Sequence, residues 1–186
     1  MLEAIELNEQ LRQICRESCA ENNIQIEICD ALVSGGLLDQ SLIKILKVDE
    51  YYSSKNFSQA PKAIDCMIVV RCESGEFEIT LAELRDVKST KGIPPRDILD
   101  KFKTVFYRFM AEDFCEIFAD PQHKVKKIEA WLVSDPFNLP QLSDEDYRKK
   151  IGSTRLDVIQ SAKPFSFRGH AVPIHALRPN PEICSC

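Results

Sequence analysis

Two apolar runs, KAIDCMIVV (62–70) and FEITLAELRDVKS (77–89), are parted only by RCESGE (71–76), and they constrain the fold more than anything else in the chain. The first is apolar on both parities, with Ile64, Cys66, Ile68 and Val70 on one and Met67 and Val69 on the other. A strand covered on both faces reads that way. In the second, Phe77, Ile79 and Leu81 share a face that ends in Glu83 and Arg85. ESGE between them is a turn, so the runs form a buried hairpin. Charge crowds one end of it: Asp65 heads the first strand, while Glu83, Arg85, Asp86 and Lys88 close the second. Acids brought to one sheet end repel unless something positive intervenes.

The turn decides which acid meets Asp65. A three-residue loop, Ser74-Gly75-Glu76, makes the pairing sum even and puts Asp65 and Glu83 on one face. A two-residue loop, Ser74-Gly75, sets Asp65 with Asp86 and Lys88, which spell D-x-K. The unbroken stripe Phe77, Ile79, Leu81 leads to Glu83 and favours the first register.

Around the hairpin, Ala4, Leu7, Leu11, Ile14 and Cys15 fall at helical spacing and predict a helix over residues 3–20. NIQIEIC (23–29) alternates like a short strand, or links two helices. After the SGG break (34–36), LLDQSLIKILKV predicts a second helix with Asp39 as N-cap. Residues 50–62 read as a loop whose Tyr51, Tyr52 and Phe57 pack on their own domain or line a cleft. Ile98, Phe102, Val105, Phe106, Phe109 and Ile117 stripe a long helix over about 95–118, with Asp97, Lys101, Thr104 and Arg108 on another face. VKKIEAWLV (125–133) predicts a further strand with Trp131 in the core. A helix near 144–162 and a proline-punctuated tail follow, and the tail wraps the domain. The order of helix, strands, hairpin, helix and strand implies an α/β, three-layer domain with a mixed sheet flanked by helices. One domain spans 1–186, with its core at about 3–133 and a C-terminal extension over 134–186.

The net charge of −5 speaks against nucleic acid until its distribution is read. Residues 1–60 hold five basic and ten acidic side chains and so carry the whole excess. Between Arg85 and Arg108, seven bases face three acids, so positive charge adjoins the acidic strand ends. No apolar run approaches the roughly 18 residues of a membrane span. The N-terminus lacks the basic and apolar regions of a signal peptide, and a cytoplasmic protein is expected. Eight cysteines include no CxxC and no Cys/His pair at zinc spacing, which reads as free thiols acting as small hydrophobes. His123, His170 and His175 are scattered and read as non-catalytic.

A hard divalent cation with oxygen ligands suits paired carboxylates, because Mg²⁺ takes one or two of them and keeps several waters. PKAID (61–65), an apolar strand, a turn and AELRDVKS (82–89) resemble the PD-(D/E)XK nuclease superfamily, over about two thirds of the chain. The resemblance implies a restriction-endonuclease-like αβββαβ core. It implies a metal-dependent DNA endonuclease, restriction-type or repair, using Mg²⁺ or Mn²⁺. Asp65 and Glu83 would be metal ligands, with the Leu84 carbonyl as a third, and Glu9 or Glu6 could supply the family's first-helix acid. Arg85 stands where the family has lysine; with Lys88 it would meet the scissile phosphate. An arginine stabilises charge but cannot shed a proton to act as base. Lys101, Lys103 and Arg108 would contact DNA phosphates. A palindrome-cutting enzyme would be a homodimer. The alternative is a non-catalytic module, binding nucleic acid or protein, with a lapsed nuclease site.

Overall fold

The computed structural model describes residues 1–55, 59–139 and 142–186. Leu2–Leu7 forms α1, and the chain turns at Asn8. The Asn8 side chain accepts hydrogen bonds from the Gln10 and Leu11 amides, both at 3.1 Å, and caps α2 (Glu9–Gln13). The helix expected over 3–20 is therefore two short ones, followed by strands β1 (Cys15–Arg16) and β2 (Cys19–Glu21). β2 pairs antiparallel with β3 (Ile24–Ile28), the strand legible in NIQIEIC.

A small hairpin, β4 (Val33–Ser34) and β5 (Leu37–Leu38), leads into β6 (Ile43–Lys47), where the sequence predicts a helix. Four of the five β6 residues are buried, so both faces are covered, and its ladder to the central hairpin outweighs the helical spacing. A short helix, α3 (Val48–Ser53), then replaces the start of the expected loop. β7 (Cys66–Arg71) and β8 (Phe77–Arg85) pair antiparallel from Cys66↔Ala82 to Arg71↔Phe77. The Cys72 amide closes the ladder onto the Glu76 carbonyl at 2.8 Å. The loop is thus Glu73-Ser74-Gly75, one residue earlier than expected but of the same length, and Gly75 takes its left-handed turn at φ 81.

The long helix is α-helical only over α4 (Pro95–Lys103). Thr104–Asp113 winds as a π-helix, and α5 (Cys115–Phe118) completes the segment. The expected apolar stripe is buried throughout, but the wider i→i+5 turn rotates the residues beyond Lys103 out of α-helical phase. β9 (Val125–Ser134) returns parallel to β8. The extension forms α6 (Asp144–Ile151), α7 (Arg155–Gln160) and strands β10 (Phe165–Phe167), β11 (His170–Val172), β12 (Ile174–Leu177) and β13 (Glu182–Ile183).

The central sheet is mixed and six-stranded, ordered β1-β6-β7-β8-β9-β12, antiparallel up to β8 and parallel from β8 to β12. On one face Met67, Val69, Ile79, Leu81 and Leu132 pack with residues of the helices, Leu2, Ile5, Ile98, Phe102, Phe106 and Leu156 among them. Each such side chain fully buried contributes about 1.5–3 kcal/mol. Among the described residues, the other face is covered chiefly by strands. Ile68, Val70, Ala82, Leu84, Trp131 and Val133 cluster there with Ile24, Ile26 and Ile183 of a three-stranded sheet ordered β13-β3-β2. The molecule is α/β, with helices over one face of a mixed sheet and a smaller sheet over the other.

The thiol reading needs correction. Cys19–Cys66 and Cys72–Cys186 are disulfides, joining β2 to β7 and the C-terminus to the loop after β7. Their partners lie 47 and 114 residues apart, so no local spacing announces them. Among the described residues, no helix is long and apolar enough to cross a membrane.

Candidate functional site

The even register sets Asp65 across from Glu83, one step beyond the last ladder pair, Cys66↔Ala82. The two positions belong to the face covered by helices, the face of Met67 and Leu81. Both are buried, Glu83 with no exposed surface at all. Asp65 Oδ2 accepts the Leu84 amide at 2.7 Å, and the Asp65 carbonyl accepts the Val48 amide at 3.1 Å. The Lys101 ammonium, reaching across from α4, donates to both Glu83 oxygens at 2.7 and 2.9 Å. Arg85 Nε stands 2.7 Å from Glu83 Oε1 as an ion pair, at an angle that makes no hydrogen bond.

Burial, and then the charge of Asp65, push the Glu83 carboxyl up to about 8, against the pull of Lys101 and Arg85. Two further acids feel the same field. Glu21, on β2, is raised first by burial and then by Asp65. Asp49, in the first turn of α3, is raised by burial, with Lys47 opposing and Asp65 adding to the rise. Asp49 Oδ1 is buried with no hydrogen-bond partner, and its ion-pair partner Lys47 Nζ stands off at 3.9 Å.

The donor set therefore fits a hard divalent cation in kind: the charge of Asp65 raises the pKa of both Glu83 and Asp49, and one buried Asp49 oxygen is left without a donor. Glu83 is also gripped by two bases, so a cation there would share it with Lys101 and Arg85. The one tight trio of Cys, His or acid ligand atoms among the described residues lies elsewhere, at Cys72, Glu78 and Cys186, and its sulfurs are spent on a disulfide.

Other expected residues fall in different places. The D-x-K register does not reach Asp65: Asp86 is exposed and accepts Asn23 Nδ2 at 3.2 Å. Lys88 is exposed on the rim of a cavity of about 720 Å³, shared with Asn23, Asp86, Asn138 and Asn180. Glu9 is exposed on α2, and Glu6 pairs with Lys44, which is held opposite Val69, four positions along β7 from Asp65. Lys101 is not a free phosphate ligand but the half-buried partner of Glu83. Lys103 is exposed at the end of α4. Arg108 lies 5.5 Å over the Tyr52 ring and 3.9 Å from Asp113, not beside Lys101, because the π-helix intervenes. Tyr51 and Tyr52 are core residues, whereas Phe57 lies outside the described residues. Trp131 is in the core, as expected. His123 Nδ1 lies 2.9 Å from the Ile117 carbonyl, away from the acids.

Three site residues carried no sequence signal: Glu21 and Asp49, brought in by β2 and α3, and Ser134 at the end of β9. Ser134 sits in register with Arg85, fully buried, its Oγ without a hydrogen-bond partner. Compared with known proteins, the chain matches no family model, no curated protein and no solved structure.

Proposed function

We propose that the chain is a metal-dependent nuclease hydrolysing phosphodiester bonds of DNA on a restriction-endonuclease-like core. One observation carries the reading: Asp65 and Glu83 lie opposite each other at a sheet end, with Lys101 and Arg85 against Glu83. The element order supports it too, since three antiparallel strands precede a helical segment and a strand parallel to the third. Asp65 and Glu83 would hold Mg²⁺ or Mn²⁺, with Asp49, a further acid in the field of Asp65 whose Oδ1 lacks a donor, beside them as a candidate. When bound, the cation polarises a phosphoryl oxygen and makes the attacking water a stronger nucleophile.

The chain's own groups do the rest. The Arg85 guanidinium, half-buried and paired through Nε with Glu83, would offer its other N–H groups to the scissile phosphate. Lys101 supplies the amine that the strand position of Arg85 lacks, and it offsets the charge that builds up on the phosphoryl group. Lys88, exposed just past the strand end, steers the DNA backbone.

Asp65→Ala and Glu83→Ala should each abolish Mg²⁺- or Mn²⁺-dependent cleavage while the circular dichroism stays native. Equal cleavage by the wild type and both variants, with contaminants excluded, would sink the assignment. The grip of two bases on one buried acid favours a second reading, a lapsed site in a binding module. Calorimetric titration with Mn²⁺ separates the two: heat of binding that vanishes in Asp65→Ala supports the enzyme, and binding of DNA without any metal uptake or cleavage supports the module.

A further inference from the structure

We infer that Cys29 and Cys184 are a paired thiol site that closes to a third disulfide, completing a ring of staples that binds the small sheet to the central one. The placement rests on the parallel pairing of β13 with β3, which sets Glu182 with Glu27 and Ile183 with Ile28. Cys29 and Cys184 are the next register pair, and the Cys29 amide donates to the Ile183 carbonyl at 3.0 Å. Neighbouring strands run about 4.8 Å apart, within the roughly 4.4–6.8 Å between Cα atoms that a disulfide spans. The two thiols already interact: a hydrogen bond to the Cys29 side chain is the foremost cause that raises the Cys184 pKa. Cys29 is half-buried and Cys184 exposed, so a small reagent reaches them.

The connectivity gives the pair its consequence. Cys19–Cys66 fastens β2 to β7, and Cys72–Cys186 fastens the chain end to the loop after β7. β2 and β3 are held as a hairpin by their own ladder. A Cys29–Cys184 bond joins that hairpin to the chain end and closes the circuit. The strapped layer carries Glu21, which lies in the field of Asp65, and Asn23, which holds Asp86. In the closing step each thiol loses a proton and together they lose two electrons. A low-molecular-weight disulfide takes up both and is reduced to two thiols. Cys15 and Cys115, the remaining free cysteines, have no thiol partner among the described residues and serve as internal controls.

The test does not depend on nuclease activity. The native 186-residue chain is oxidised with glutathione disulfide at low protein concentration, examined by intact mass, then alkylated and mapped by non-reducing peptide analysis. Expected is, before alkylation, a chain lighter than the reduced one by the hydrogens of three disulfides, and after it a Cys29–Cys184 linked peptide with alkylation only at Cys15 and Cys115. Cys29→Ser should leave the other two disulfides closed and open Cys184 to the alkylating reagent. The inference is overturned if Cys29 and Cys184 both take up label while the other pairs stay closed. A stable glutathione adduct on either one, or linkage of Cys184 or Cys29 to Cys186, overturns it equally, as does continued protection of Cys184 in Cys29→Ser.

Discussion

A carboxyl group with no exposed surface must be held by a proton or by a cation, and Glu83 has both within reach. Burial and Asp65 favour the proton, raising its pKa from 4.5 to about 8. The folded chain therefore binds a proton that the unfolded chain has released across that interval. Stability contributed by the group is complete below the unfolded value and is lost as pH rises through the window, by up to about 1.4 kcal/mol per pH unit. Chemical denaturation in EDTA across the window should show this fall, and Glu83→Gln should flatten it, whatever its effect on absolute stability. Identical slopes would mean that Lys101 and Arg85 keep Glu83 ionised throughout. Arg85 yields a second test at the same scale. If it only stabilises developing charge, Arg85→Lys should keep or raise cleavage, and Arg85→Ala should lower it by about 10²-fold or more, the scale of removing one transition-state donor. Turnover measured for both variants decides it; a neutral Arg85→Ala would remove the arginine from the chemistry.

Among the elements, those whose side-chain pattern matches their own burial were legible. β7, with apolar residues on both parities, and β8, with its stripe ending in Glu83, lie where the sequence places them, and so does β9. The register parity that puts Asp65 opposite Glu83 was legible from that stripe as well. β6 was not, because Leu42, Ile43 and Leu46 fit helical spacing as well as a strand, and only the ladder to β7 chooses between them. Asn8 breaks the first helix with a side chain that any helical pattern absorbs. Glu21 and Asp49 were illegible because long-range packing of β2 and α3 brings them to the site. The π-helix is the costliest omission, since an α-helix would place Lys101 and Arg108, seven apart, on one face. With Lys101 turned to Glu83 and Arg108 to Tyr52, the two do not form one phosphate-binding row. Binding to duplex DNA, measured in Ca²⁺ over a range of salt, should therefore keep its slope in Arg108→Ala. In Lys88→Ala it should flatten by about 0.9, the share of one phosphate contact. A flattened slope in Arg108→Ala would restore that residue to the interface.

Across the whole molecule, the two faces of the central sheet are secured by different means. The helix-covered face buries large side chains from α1, α2, α4, the π-helix and α7 against the strands, and that burial needs no covalent help. The other face carries a smaller cluster under a three-stranded sheet whose β13 is two residues long. It is there that the chain uses Cys19–Cys66 and Cys72–Cys186. In the chain-entropy model, closing loops of these lengths is worth about 4 to 5 kcal/mol each, before any native-state cost. Reduction should therefore act unevenly. With a reductant present under otherwise native conditions, amide hydrogen exchange in β2 and β3 should accelerate by at least about tenfold, the effect of about 1.4 kcal/mol. Amides of β8 and β9, pinned by the helices, should stay protected to nearly the global limit. Loss of protection in all four strands together would show instead that both faces unfold as one unit and that the staples support the entire fold.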